Sequence, residues 1–352
     1  MHVLVLHDLS PGEARFGVRR RLEHLAHHEE RAGNTVELRS IIPESRSRPN
    51  RLERLVRGLV AGRTSTVSDV DRVVVVALHA PHMVVLARTL ASRRATAVQL
   101  DLCDSRRLLT AQRPRPGGRF AQLATATSEL LADAAFRALP PDLPRSYISR
   151  EDAVADDGLS ASEVLVVGPA PLPELAALGP FVGRPTSILC PVDGTSPEGR
   201  AALAFLHEVL TEAAPMVRVE ASGHPPPDGR PGSGAVRWLG HVPTLAELYA
   251  RPCVVVSTNP AGHGVQNKLW EAFQARRPIV AFDAALHWAP VLPWIHRVHS
   301  PGEFGSVLRT ALETDHDTGS RGPDAPGPPP VPAGRTAPVP ARSIPSARGR
   351  RG

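Results

Sequence analysis

The chain predicts an α/β fold made of two doubly wound units in succession, facing each other across a cleft. Three observations carry this. Strand-length apolar runs alternate with helical patterns along most of the sequence. The alternation breaks at a proline-rich stretch, Pro169, Pro171, Pro173 and Pro180, and then restarts. The length of 352 residues suits about two domains of ~100–200 residues each. Hydrophobic residues make up 42% and aromatics only 4%, so the cores must rest on Leu, Val and Ala, which favours layered α/β packing.

Residues 2–6 read as a buried strand. A helix over 17–31 follows, with Val18, Leu22, Leu25 and Ala26 at helical spacing and Gly33 closing it. Residues 35–38, 72–77 and 97–100 read as strands, with a helix over 82–92 before the last of these. A long helical pattern covers 120–139, and 146–148 and 164–167 are short strands. After the prolines come a strand at 187–189, a helix over 197–210 and a strand at 217–221. A Pro/Gly loop at 225–234 precedes a strand at 236–239 and a short helix over 245–250. Strands at 254–257 and 279–282 flank a helix that includes 269–274, and a last helix covers 303–312. Such alternation implies parallel sheets covered on both faces, with ligands held outside the carboxyl ends of the strands. The expected division is 1–175, a linker at 176–185, a second unit at 186–318, and a disordered Arg/Pro-rich tail at 319–352.

The formal net charge is +6. Six arginines (321, 335, 342, 348, 350, 351) against Asp324 place +5 of it in the tail and leave +1 for residues 1–318. The basic balance therefore gives little reason to expect a nucleic-acid-binding fold, although the tail's arginines suit contact with anionic lipid. The apolar run at 3–6 is too short for a signal peptide, and no run approaches the ~18 residues of a membrane span. Cys103, Cys190 and Cys253 are odd in number and widely spaced, so a reduced, cytoplasmic compartment is expected. Of 41 basic residues only Lys268 is lysine. A single compact ammonium kept among arginines marks a position for scrutiny.

Lys268 sits in the most informative stretch. A strand leads into Asn259-Pro-Ala-Gly-His-Gly264, and a helix starts near Val265. Helix N-termini present unpaired N–H groups and positive dipole, and Gly262 and Gly264 permit close approach to the backbone, which is equipment for holding a phosphate. At 100° per residue, Gly264, Lys268 and Glu271 fall within about 60° of one another, while Val265, Leu269, Ala272 and Phe273 form a packing face. The ammonium would neutralise a diphosphate, and the carboxylate would accept hydrogen bonds from ribose hydroxyls. The plainer alternative is a surface pair between Lys268 and Glu271, three residues apart and worth ~0.2–0.5 kcal/mol.

The stretch from Gly262-His263-Gly264-Val265-Gln-Asn267-Lys268-Leu-Trp-Glu271-Ala-Phe273 to Arg277-Pro-Ile-Val-Ala281 resembles the donor-site motif of family-4 glycosyltransferases of GT-B fold. Residues 239–250, the opening at 191–194, the helix from Gly17 to Ala26, and the segments at 99–105 and 146–151 resemble other parts of that family. The resemblance covers residues 2–315 and is stronger in the C-terminal half. It implies two Rossmann-like domains and transfer of a sugar from a nucleotide-diphosphate donor to an unspecified acceptor, with retention and without a metal or other cofactor. Gly262, His263, Gly264, Val265, Asn267, Lys268 and Glu271 are the implied donor-binding residues. Val242 would face the base, Gly17 the phosphate or acceptor, and Arg200 would replace a basic pair that is absent at Gly194–Thr195. Lys268 and Asp101 are the candidate catalytic residues. Differences from the family pattern are His263 where a Glu is common, Asp101 where a His is common, and Gly168-Pro-Ala-Pro171 in place of Pro-Asn-Gly.

Other signals are weaker. His24, His27 and His28 have helical spacing but no carboxylate or Cys cluster to complete a metal site, and His79 and His82 flank a strand end. Asp101 and Asp104 have the spacing of an acid/base pair or of ordinary loop carboxylates. The rival functions are a non-catalytic nucleotide-sugar-binding module and a nucleotide-sugar epimerase of the same architecture.

Overall fold

A computed structural model of the chain describes residues 1–9, 16–42, 60, 69–77, 80–93, 96–105, 130, 134, 136–140, 143–157, 165–192, 194–195, 197–213, 217–225, 236–240, 242–259 and 265–319. The helical pattern at 120–139, the loop at 225–234 and the tail at 319–352 lie largely outside these residues, and His79, Gly262, His263 and Gly264 lie wholly outside them.

The first unit contains β1 (His2–His7), α1 (Phe16–Arg31), β2 (Thr35–Ser40), β3 (Arg72–Val76), α2 (Pro81–Arg93), β4 (Ala97–Cys103), β5 (Arg145–Tyr147), α3 (Arg150–Asp157) and β6 (Leu165–Val166). Its six strands run parallel in the order β2-β1-β3-β4-β5-β6. Successive strand residues point to opposite faces, and the packing divides accordingly. Val3, Val5, Val74 and Val76 pack with Leu22 and Leu25 of α1. Leu4, Leu6, Val73 and Val75 pack with Met83, Leu86 and Leu90 of α2. A strand buried on both faces reads as an unbroken apolar run, which is why these segments are plain in the sequence.

α4 (Pro173–Ala176) and β7 (Val182–Gly183) follow, then β8 (Ser187–Pro191), α5 (Pro197–Ala213), β9 (Arg218–Ser222), β10 (Val236–Gly240) and α6 (Leu245–Tyr249). β11 (Cys253–Ser257), α7 (Asn267–Gln274), β12 (Ile279–Phe282), β13 (Ile295–Val298), α8 (Phe304–Glu313) and β14 (His316–Asp317) complete the second unit. Its parallel sheet has the order β10-β9-β8-β11-β12-β13. Counted within the unit this is 3-2-1-4-5-6, the Rossmann order. Leu189, Val255, Ile279 and Ala281 pack with α7, and Ile188, Val254, Val256 and Val280 pack with α5 and α8.

Some elements differ from the sequence reading. α3 is not expected because its sequence, Arg-Glu-Asp-Ala-Val-Ala-Asp-Asp, holds five charged residues and a single large apolar one. β13 was not expected because half-buried His296 and Arg297 interrupt its apolar residues. The proline-rich stretch holds a short helix with Pro173 in its first turn, where a missing N–H costs nothing. Leu172 and Leu175 beside it are buried in the core of the second unit. α7 begins at Asn267 rather than near Val265. β14 pairs antiparallel with β7, and the amides of Thr318 and Phe181 donate to the carbonyl of Phe181 (3.0 Å) and the hydroxyl of Thr318 (2.6 Å). None of the described helices is long and apolar enough to cross a membrane.

A buried polar chain ties α1 to the first sheet. Arg21, 1% exposed, donates through Nε and Nη2 to both carboxylate oxygens of Asp101 at 2.9 and 2.5 Å, and through Nη1 to the Val167 carbonyl at 2.5 Å. Ser146 Oγ donates to Asp101 Oδ1 at 2.7 Å and accepts from Gln99 Nε2 at 2.9 Å. Removing one partner of such a pair strands the other charge without water. Arg21→Ala is therefore expected to lower the unfolding free energy by about 3–5 kcal/mol, read from urea denaturation. An unchanged midpoint would show that the pair does not hold α1 to the sheet.

Candidate functional site

In the second unit the strand order reverses between β8 and β11, and in such sheets ligands bind outside the carboxyl ends of the strands at the reversal. β8 leads into Val192, Gly194 and Thr195, and the Gly194 amide donates to the His224 carbonyl at 2.9 Å. β11 leads through Thr258 and Asn259 toward α7. Ser257 Oγ, at the end of β11, donates to Gln266 Oε1 at 2.7 Å, which fixes the start of the helix to the end of the strand. Gln266 is the N-cap residue, yet it supplies no side-chain cap, and the first turn of α7 contains no acid. Its amide groups and positive dipole are thus left unneutralised by the helix's own side chains.

Lys268 lies in that first turn and is half-buried. Burial pushes its ammonium below the ordinary lysine range. The thiol of Cys190, near the end of β8, acts on it in the opposite sense, and the ammonium in turn holds that thiol down against the upward push of burial. Lys268 forms no ion pair with a carboxylate among the described residues. The surface pair with Glu271 considered from the spacing is not formed. Leu269, Trp270, Ala272 and Phe273 form the buried face of α7, and Trp270 Nε1 donates to the Ala170 carbonyl at 3.0 Å.

Glu271 turns away from Lys268. Its Oε2 accepts from the Tyr249 hydroxyl at 3.0 Å, and its Oε1 lies 3.8 Å from Arg20 Nε. Arg20 belongs to α1 of the first unit, so this contact bridges the two units. Burial raises the Glu271 carboxyl above the ordinary range, Glu174 and Glu23 add to the rise, and Tyr249 and Arg20 oppose it. Val242 packs half-buried against the α7 core. Arg200 is exposed on α5 and donates through Nη1 to the Thr195 carbonyl at 2.8 Å, so it is tied to the loop after β8. Val265 and Asn267 are half-buried at the helix entrance.

The residues expected in the first unit separate. Gly17 lies in the first turn of α1, one turn before Arg20. Asp101 is fully buried, with its oxygens taken by Arg21 and Ser146, so it acts as the counter-ion of Arg21 and faces no open space. Asp104 follows Cys103, whose backbone is left-handed (φ 62°), after a register shift between Asp101 and Cys103 in the pairing with β5. Burial, followed by the charge of Asp152, lifts the Asp104 carboxyl to about 6. His24 is buried, and burial together with Arg21 and Arg20 holds it down to about 3. His82 Nε2 lies 3.1 Å from Asp8 Oδ2. No cluster of three or more His, Cys, Asp or Glu among the described residues is arranged to hold a metal. The sequence does not single out Arg20 and Tyr249 as contacts of Glu271. Neither carries a motif signal, since Arg20 sits in a run of three arginines and Tyr249 in an ordinary amphipathic turn.

No protein-family model and no curated protein sequence matches the chain. Solved structures do match. HepE of Anabaena in complex with UDP and glucose aligns with a TM-score of 0.56 at 14% identity, over 88% of this chain and 89% of that one. A glycosyltransferase from Rickettsia africae ESF-5 aligns at 0.54 and 10% identity, over 89% and 91%. The E. coli trehalose-6-phosphate structure bound with UDP-2-fluoro glucose aligns at 0.54 and 13% identity, over 90% and 92%. At such identities the likeness establishes architecture. The chain has the GT-B fold of these structures, two Rossmann-like units spanning nearly its whole described length.

Proposed function

We propose that the chain is a glycosyltransferase of the family-4 type that takes a sugar from a nucleoside diphosphate donor and passes it, with retention and without a metal, to an acceptor hydroxyl. One observation carries the reading: the chain's single lysine stands in the first turn of a helix whose N-cap residue gives no side-chain cap, half-buried at the β8/β11 reversal, with no carboxylate paired to it among the described residues. The donors that the similar structures hold, UDP with glucose and UDP-2-fluoro glucose, are consistent with a nucleotide-sugar ligand here.

In this reading the bond between the sugar's anomeric carbon and the diphosphate oxygen breaks, and negative charge grows on the leaving diphosphate. Lys268 and the amides at the start of α7 meet that charge in a partly desolvated place, where fixed donors are worth most. Glu271 receives the ribose hydroxyls, the backbone near Val242 faces the base, and Arg200 with the Thr195 loop closes the phosphate side. Gly17 permits close approach from the first unit. The sequence resemblance assigns the donor sugar and phosphates to Gly262, His263 and Gly264 as well, which lie outside the described residues.

Lys268→Ala is expected to reduce sugar transfer by about 10²–10³ while circular dichroism and melting stay near wild type. Lys268→Arg should also be impaired, because a planar guanidinium does not replace a compact ammonium. Near-normal turnover in Lys268→Ala would reject the role. Nucleoside diphosphate at 100 times its Kd should stabilise the wild type by ~2.7 kcal/mol in a thermal-shift screen. Binding without transfer or donor hydrolysis would instead identify a binding module, and donor consumption without acceptor would indicate an epimerase.

The pH dependence follows from the two site charges. Binding needs Lys268 protonated, and its depressed pKa means the charge is lost, as pH rises, earlier than for an ordinary lysine. Binding also needs Glu271 ionised, and its raised pKa means the charge is lost, as pH falls, earlier than for an ordinary glutamate. Calorimetric affinity for nucleoside diphosphate should therefore be bell-shaped and narrow. Lys268→Arg should lose the alkaline limb while keeping the acid one.

A further inference from the structure

We infer that Glu271 is aimed by two positioning residues, Tyr249 from its own unit and Arg20 from the opposite one, so that ribose recognition depends on a carboxylate gripped from both sides of the interdomain seam. The inference rests on the donor reading given above and adds residues that reading does not contain.

Tyr249 is a fixed post. It is fully buried, and its backbone carbonyl accepts from Arg277 Nε at 2.5 Å. Arg277 is itself held, with Nη1 3.4 Å from the Gly179 carbonyl and its guanidinium over the Phe181 ring at 5.8 Å. The Tyr249 hydroxyl lies 3.0 Å from Glu271 Oε2 and 3.2 Å from the Lys268 carbonyl. A phenol has one proton, and the charged oxygen is the stronger acceptor, so the hydroxyl is committed to Glu271. The same hydroxyl therefore sits against both the Glu271 carboxylate and the Lys268 backbone in the first turn of α7.

Arg20 acts on the other oxygen. At 3.8 Å its Nε attracts Glu271 Oε1 without making a hydrogen bond, so that oxygen keeps its acceptor capacity. Arg20 Nη1 is anchored on Glu23 Oε2 at 2.8 Å, one turn further along α1. One oxygen of Glu271 is therefore pinned and the other is oriented but open. A ribose diol requires an acceptor that does not rotate away, and this arrangement provides one. The charged and titratable groups facing Glu271 are Tyr249, Arg20, Glu174 and Glu23, and the first two favour its ionised form.

The test is calorimetric binding of the ADP, GDP, CDP and UDP series, their 2′-deoxy counterparts and inorganic pyrophosphate to the full chain and its variants. Tyr249→Phe keeps the ring and removes only the hydroxyl. It should weaken the preferred ribonucleoside diphosphate about tenfold or more, leave pyrophosphate affinity unchanged and shrink the ribose-over-deoxyribose preference. The acid limb of binding should move to higher pH, since an oppositely acting hydrogen bond has been lost. Arg20→Ala should do the same and Arg20→Lys should restore most of the loss. If wild type prefers ribose while both variants keep that preference and the wild-type acid limb, the inference is overturned and the donor reading stands. Equal losses for nucleotide and pyrophosphate would also overturn it, by showing general damage to the site. Failure of wild type to bind any nucleoside diphosphate would remove the donor reading and this inference together.

Discussion

A charge taken partly out of water raises the free energy of a fold unless an opposite charge or a hydrogen-bond partner meets it. The second unit of this protein carries such a charge on Lys268, which sits in the first turn of a helix whose own dipole is also positive there. Among the described residues neither a side-chain cap from Gln266 nor an acid in that turn neutralises it, and the ionisable group acting on it is the Cys190 thiol. The strand-order reversal sets this concentration of positive potential beside the ends of β8 and β11.

Two adjacent arginines on α1 show how one helix serves two ends. Arg21 points into the first unit, where all three of its guanidinium nitrogens donate to Asp101 or the Val167 carbonyl. Arg20, 100° further round, points out toward Glu271. The buried pair fixes the azimuth of the helix, and that azimuth places Arg20. Asp101 therefore contributes through the orientation of α1 and has no access to a reacting group.

Much of the fold is visible in the sequence because parallel strands buried on both faces must be apolar without interruption, as Val73–Val76 and Val254–Val256 are. Elements whose burial is partial escape this logic. β13 has half-buried His296 and Arg297 in its centre, and α3 presents mostly charged residues. Lys268 also stands out in the sequence, as the chain's single lysine. Glu271 was found by helical spacing, but its partners were not. Arg20 is 251 positions away in the chain and Tyr249 is 22. Neither separation has a periodic signature. Asp101 was misplaced as a candidate for chemistry because a strand-end carboxylate looks the same in sequence whether it faces a cleft or a buried guanidinium.

The passage from one unit to the other is shorter than the proline-rich stretch implies. Val167 belongs to the core of the first unit and its amide donates to the Tyr147 carbonyl, while Leu172 already belongs to the core of the second. Only Gly168, Pro169, Ala170 and Pro171 lie between, and Ala170 is held by the Trp270 indole. Two of these four residues have φ fixed by their rings. Among the described residues the chain crosses between the units once, so any bending of one lobe against the other must be carried by a handful of torsions. What the rings leave adjustable is φ at Gly168 and Ala170 and ψ at all four residues, and the indole bond at Ala170 ties the middle of that short run to α7.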